Sequence, residues 1–244
     1  MRLKSKVALV TGASKGIGKA VAEGYAKEGA DLYLVGHEDR EGLNKVMESC
    51  KSLGAMVDGG LFDVGNYEDV KALVKNVENI FGDVDVLVNN AGIIKPTPFL
   101  EISPQQWDRV IKTHLYGTFY CTIEIVKRFM KDKKRGKIIN VCAPAALRGS
   151  MGVTDYASAK GGIYSFTKNV ARELLVHNIQ VNAILPIAKS RMTDALANFY
   201  GKEGERLLNL ADPKELVPSF IFFASNDSDY VTGQILTVDG GIMC

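Results

Sequence analysis

Apolar residues along the chain recur in two rhythms. Short, largely β-branched runs at Val7–Val10, Asp31–Val35, Met56–Phe62 and Val84–Val88 alternate with stretches in which apolar positions fall three and four apart. The first rhythm predicts buried strands and the second predicts amphipathic helices. One helix is expected over Gly18–Ala30, with Ala20, Val21, Gly24 and Tyr25 on one face and Gly29 as its stop; two more are expected around Glu41–Leu53 and Tyr67–Phe81. Ser103 followed by Pro104 predicts the N-cap and first turn of a long helix running past Trp107 toward Met130. Strands follow at Lys137–Val141, Gln180–Leu185 and Gln234–Val238, with a helix bearing Tyr156 after the first of them and another around Pro213–Ser225 before the last. Regular alternation with continuous apolar strands predicts one α/β domain over 1–244, built on a seven-stranded parallel sheet with helices on both faces.

Composition narrows the function classes. Lys and Arg total 30 against 28 Asp and Glu, and a net charge of +2 provides no field to recruit nucleic acid or an anionic membrane. The dense basic run Lys131-Asp132-Lys133-Lys134-Arg135 falls where a helix should end, which suits the helix dipole and a solvated surface. Cys50, Cys121, Cys142 and Cys244 lack metal-ligand spacing and disulfide density, so no metal is expected and reduced thiols are. No apolar run approaches the ~18 residues of a membrane span, and Met1–Lys6 leads straight into a strand. A soluble, cytoplasmic protein acting on a small molecule is the expectation.

Chemistry concentrates in three stretches. Thr11-Gly12-Ala13-Ser14-Lys15-Gly16-Ile17-Gly18 joins the first strand to the first helix. Its glycines permit a tight turn, and the helix start offers free N–H groups to a pyrophosphate. The second strand ends in Gly36-His37, where an NAD-binding chain would present a carboxylate to the ribose 2′-hydroxyl. With Lys15, His37 and Arg40 nearby, that end suits a 2′-phosphate and favours NADP(H) over NAD(H), unless Lys15 and Arg40 are ordinary surface charges. Tyr-x-x-x-Lys occurs three times, at Tyr67/Lys71, Tyr156/Lys160 and Tyr164/Lys168. On a helix each pair shares a face, and the ammonium is expected to pull the phenol below its usual pKa of about 10.

Taken together, Thr11–Gly18, Asp63-Val64, Asn89-Asn90-Ala91-Gly92, Tyr156/Lys160 and Val238-Asp239-Gly240-Gly241 resemble the short-chain dehydrogenase/reductase family in order and spacing over essentially the whole chain. The resemblance implies a doubly wound Rossmann fold. It implies that Asp63 and Val64 meet the adenine, that Asn90, Ala91 and Gly92 lie beneath the cofactor with Pro186 and Ile187, and that Tyr156 and Lys160 are the catalytic pair. The other two Tyr/Lys pairs become structural or surface residues. Relatives are commonly homotetramers or homodimers.

Three positions depart from the family pattern. The substrate-binding serine expected thirteen residues before Tyr156 is Ala143, preceded by Cys142. Alanine neither donates nor accepts there, and losing one such donor typically costs about 10²–10³ in rate. The asparagine expected seven residues after Trp107 is His114, able to keep a hydrogen-bonding role, to titrate near neutral pH, or simply to pack. After Pro186 the family glycine is Ile187, expected to restrict the backbone, with Ser190 a candidate for the threonine near the nicotinamide. A substrate flap is expected at about 187–212, where Met192, Leu196, Phe199 and Tyr200 either line a pocket or pack on the body; Cys142, Ala143 and Arg148 are candidates for the substrate side. The leading reading is an NADP(H)-dependent oxidoreductase of small carbonyls or alcohols, with Tyr156 as acid/base, Lys160 beside it and His114 replacing a lost polar partner. Two alternatives keep the fold: a non-redox enzyme using tyrosinate for C–C cleavage, hydration or elimination, and a catalytically silent nucleotide-binding protein.

Overall fold

A computed structural model describes residues 1–131, 135–202, 204 and 210–243. The middle of the basic run (132–134), positions 203 and 205–209 of the expected flap, and Cys244 lie outside the described residues.

The seven strands are β1 (Val7–Thr11), β2 (Asp31–Gly36), β3 (Val57–Leu61), β4 (Val86–Asn89), β5 (Gly136–Val141), β6 (Ile179–Pro186) and β7 (Ile235–Val238). They pair in the order β3-β2-β1-β4-β5-β6-β7, every pair parallel. From β1 the chain winds first to one edge and then, from β4, to the other. The β1/β4 boundary is therefore a topological switch point, where the carboxyl ends of the strands open a crevice.

The pleat sends alternate residues of each strand to opposite faces. Ala8, Val10, Leu32, Leu34, Val86 and Val88 pack on one face with α1 (Gly16–Lys27), α2 (Arg40–Ser52) and α9 (Val217–Ala224). Leu9, Tyr33, Val35, Leu87 and Ile138 pack on the other with α3 (Tyr67–Phe81), α5 (Gly117–Lys131) and α7 (Thr154–Leu174). Alpha helices α1 and α9 are bound closely: the buried Tyr25 hydroxyl donates to the Phe220 carbonyl at 3.0 Å, 195 residues away in sequence. A third, smaller cluster of Cys142, Ile163, Ala183 and Leu185, joined by Leu115 and Tyr164, underlies α7.

The long helix expected from Ser103 differs in its middle. Ser103 caps it, accepting from Gln106 N, and α4 (Pro104–Ile111) leads into a π-helical turn at Lys112–Tyr116 before α5. The wider turn carries both Thr113 and His114 into the interior. Such turns recur at functional sites because they re-aim side chains that a straight helix would place elsewhere. Between β5 and α7 the expected irregular stretch contains the short helix α6 (Ala145–Arg148), and the flap begins with α8 (Arg191–Tyr200). Among the described residues no helix is long and apolar enough to cross a membrane.

Candidate active site

A cavity of about 650 Å³ opens at the strand ends and runs from the glycine loop past Tyr156 to α8. Its first wall is the turn after β1. Gly12 takes φ +65°, which L side chains rarely adopt, and a Cβ at Gly18 would lie 2.2 Å from the Gly12 carbonyl. Thr11 Oγ1 accepts from the backbone N–H groups of Asn90 and Ala91, while Asn90 Nδ2 donates to the carbonyls of Thr11 and Gly12. The glycine turn is thus stapled to the end of β4. No side chain caps α1, so its first N–H groups face the cavity free of protein partners. Ser14, Lys15, Gly16 and Ile17 line the same wall, and a cradle of this kind fits a dinucleotide pyrophosphate.

At the far end of that arm, His37, Asp63 and Arg109 meet. Arg109 Nη1 donates to Asp63 Oδ2 at 2.6 Å, and its Nη2 lies 3.4 Å from His37 Nε2. Burial alone would raise the Asp63 carboxyl, but hydrogen bonds from Arg109 and Gly65 N hold it below the usual carboxylate range. Val64 lines the arm beside Asp63. Asp39, the first carboxylate after β2 with a defined task, is committed to helix α2: it caps Gly42 N at 2.9 Å and stands 3.9 Å from Lys15 Nζ. Sequence reasoning missed Arg109. The available signal was its place four residues before Thr113, on the helix face that turns toward the crevice.

Tyr156 and Lys160 lie one turn apart on α7 and both line the cavity. Among the described residues none hydrogen-bonds the Tyr156 phenol oxygen, so it is available to a ligand. The structure reverses the expected pKa shift. Lys160 Nζ turns to the Val141 carbonyl and sits 5.7 Å from the Tyr156 ring centroid. Burial therefore dominates both groups: it pushes the phenol up from its ordinary value and brings the Lys160 ammonium down to about 8. Sequence spacing established adjacency, but the desolvation of both partners decides the sign. Of the other two pairs, Lys71 is exposed with Glu68 at 2.7 Å and Tyr67 bonds Glu124, while Tyr164 packs into the third cluster.

A buried lysine that must stay charged costs stability. Lys160 is only 3% exposed, and its depressed pKa means that the penalty is complete below pH 8 and is relieved as pH rises toward 10.5, where the unfolded chain also loses its proton. Lys160→Met is expected to stabilise the ligand-free protein at pH 7 by about 2 kcal/mol: about 3 from the relieved charge less about 1 for the lost hydrogen bond. Urea unfolding at pH 7 and pH 10 checks this; a gain that does not shrink at the higher pH contradicts it.

His114 is 1% exposed and faces Tyr156 edge-on, ring centroids 5.1 Å apart. Its Nε2 lies 2.7 Å from the Ile93 carbonyl and 3.0 Å from Ile93 N. The shorter contact puts the proton on Nε2, leaving Nδ1 as a buried lone pair without a partner. Burial, reinforced by the Lys160 charge, lowers its pKa to about 3. Of the roles the sequence left open, this environment opposes titration near neutrality and favours a packed, hydrogen-bonded neutral imidazole. A Cβ on Gly92 would lie 2.2 Å from its Cε1, so the backbone beneath the crevice rests directly on the ring.

Ala143 and Cys142 both line the cavity with Tyr156. Burial pushes the Cys142 thiol up to about 11, against the pull of Lys160. Ile187 also differs from expectation in its effect. Its N–H donates to the Val238 carbonyl and its φ is not positive, so no glycine is required and the backbone is unstrained. Pro186 and Ile187 both line the cavity. Ser190 caps α8 in a reciprocal box with Thr193 and faces the glycine loop, its Cβ 4.0 Å from a Cβ built on Gly16. Of the flap residues, Met192, Leu196 and Tyr200 line the cavity, whereas Phe199 packs on Gly152. Tyr200 fixes the end of the flap helix by donating to the Met151 carbonyl at 2.9 Å beside Ser150 Oγ.

Comparison with known proteins agrees with this geometry. The short chain dehydrogenase family profile matches residues 6–200. A 3-oxoacyl-(acyl-carrier-protein) reductase of Thermotoga maritima is 36% identical with both chains fully covered, and a 2-dehydro-3-deoxy-D-gluconate 5-dehydrogenase of Formosa agariphila is 35% identical over 99% of this chain and 94% of its own. The crystal structure of a putative gluconate dehydrogenase from Agrobacterium tumefaciens superposes with a TM-score of 0.92 at 34% identity, covering 99% of this chain and 97% of that one.

Proposed function

The chain belongs to the short-chain dehydrogenase/reductase family and is an oxidoreductase of that type; from that premise we propose that it reduces a small carbonyl compound with NADPH. The observation that carries the reading is the unpartnered Tyr156 phenol, one helical turn from Lys160, on the floor of a crevice that begins at the glycine loop. A reduced nicotinamide held in this crevice would supply the hydride that the carbonyl carbon takes up. Every other task falls to the chain. Gly12, Gly16 and the open end of α1 would hold the diphosphate, Gly18 and Asn90 keep the loop in place, and Asp63 and Val64 would border the adenine. Tyr156 gives its proton to the carbonyl oxygen as that oxygen gains charge, and the Lys160 ammonium steadies the tyrosinate left behind. His114 holds the backbone at Gly92 and Ile93, presenting a neutral imidazole edge to Tyr156 in place of the polar partners lost around Ala143.

NADPH is favoured over NADH because β2 ends in Gly36-His37 and the nearby Asp39 is occupied as a helix cap, leaving Lys15, His37 and Arg109 around the expected ribose. Titrating both reduced cofactors while following fluorescence of the bound nicotinamide is the test. NADPH is expected to bind at least ~10-fold tighter, about 1.4 kcal/mol; equal or reversed affinities overturn the assignment. The reading also includes a homotetramer or homodimer in the cytoplasm. Support comes from Tyr116 and Phe119, exposed on the π turn and α5, and from β7, whose outer edge is unpaired while Leu236 and Ile242 remain exposed. Light scattering is expected to give two or four chains, and a monomer excludes it.

A further inference from the structure

The cations lining the cavity differ in their partners. Lys15 stands beside Asp39 and Arg109 beside Asp63. Arg148, Lys189 and Arg191 also line the cavity, and among the described residues none of the three has an ion-pair partner. Lys189 and Arg191 flank Ser190, which stands against the glycine loop, so they border the cofactor phosphates. Arg148 does not. It follows Ala143 by five residues, and the turn between them is helical: Arg148 N donates to the Pro144 carbonyl and Gly149 N to the Ala145 carbonyl. Pro144, Ala145 and Arg148 all line the cavity, as residues three and four apart on one helical face must, whereas Leu147 on the other side is exposed. The guanidinium thus lies along the wall that starts at the missing hydroxyl, roughly 7 Å of helix rise from it. It is accessible to a ligand and has no protein anion to satisfy it.

We propose that the substrate is a small oxo acid whose carboxylate pairs with Arg148, and that this contact, rather than a hydroxyl at position 143, orients the reacting carbonyl over Tyr156. This rests on the reductase reading above. A planar guanidinium can grip a carboxylate through two parallel hydrogen bonds, fixing orientation as well as position. That is the service a single serine donor performs at the carbonyl itself, moved to the other end of the molecule. Two of the relatives are named for sugar acids, and the name of one, a 2-dehydro-3-deoxy-D-gluconate 5-dehydrogenase, puts its reaction at a carbon remote from the carboxylate.

The test is calorimetric titration of the NADP⁺-saturated protein, in which no turnover occurs, with four- to six-carbon 2-, 3- and 5-oxo acids and with the methyl ester of each. At least one acid is expected to bind ~10-fold tighter than its ester. Arg148→Gln should bring the two within about twofold, and Arg148→Lys should restore part of the difference. Arg148 is exposed and supports no core contact, so these variants are expected to fold as the parent does. Equal binding of acid and ester throughout, no binding of any acid, or a preference that survives Arg148→Gln overturns the proposal. Parallel NADPH oxidation separates the two readings: an acid that binds through Arg148 without being reduced removes the reductase assignment alone, and equal turnover of acid and ester removes this one alone.

Discussion

Tyr156→Phe is expected to lower kcat for NADPH-dependent carbonyl reduction by about 10²–10⁴, the usual share of one positioned proton donor. That corresponds to roughly 3–5 kcal/mol of barrier. The phenyl ring keeps the edge-on contact with His114 and the position over Lys160, so packing and cofactor binding are conserved while the hydroxyl is removed. Because among the described residues none hydrogen-bonds the phenol oxygen, deleting it leaves none of them buried and unpaired, and the variant's stability is expected within about 0.5 kcal/mol of the parent. Loss of kcat with unchanged NADPH affinity is the signature. Undiminished reduction would remove Tyr156 from the chemistry and, with it, the central assignment.

Ala143→Ser carries the second large effect, in the opposite direction. The position lines the cavity at 5% exposure, and serine there restores the donor that the family pattern places at the substrate oxygen. With a simple neutral ketone, which has no carboxylate to offer Arg148, the variant is expected to raise kcat/KM about 10²-fold, the value of one restored donor. With an oxo acid already oriented from its other end, the gain is expected to be tenfold smaller at most. Steady-state kinetics on both substrates decide it. A silent nucleotide-binding protein predicts no activity in either case, and a tyrosinate base doing non-redox chemistry predicts product without NADPH consumption.

Much of the architecture was legible because most strands, β1, β2 and β4 among them, are short apolar runs that specify themselves locally. Tyr67–Phe81 matches the expected helix at both ends, and Ser103 caps α4 as its sequence suggests. The π turn at Lys112–Tyr116 was not legible, since every residue in it is compatible with an ordinary helix and only the packing of Thr113 and His114 beneath the crevice distinguishes the two. The same limit governs the site. Spacing placed Tyr156 beside Lys160, but spacing carries no information about desolvation, which set the direction of both pKa shifts. Arg109 escaped notice because its partner, Asp63, is 46 residues away and becomes a neighbour only when β3 and α4 converge.

The contact between Tyr25 and Phe220 bears on how the chain is made. Helix α1 leaves the ribosome well before α9, yet the face bearing Val21 and Tyr25 is covered by α9, with Gly24 against Val217. The intervening 195 residues take about 10–40 s to translate at typical rates. For that interval the nascent N-terminal unit presents an apolar stripe with no lid of its own, and the synthesis of the last sixth of the chain is what closes it.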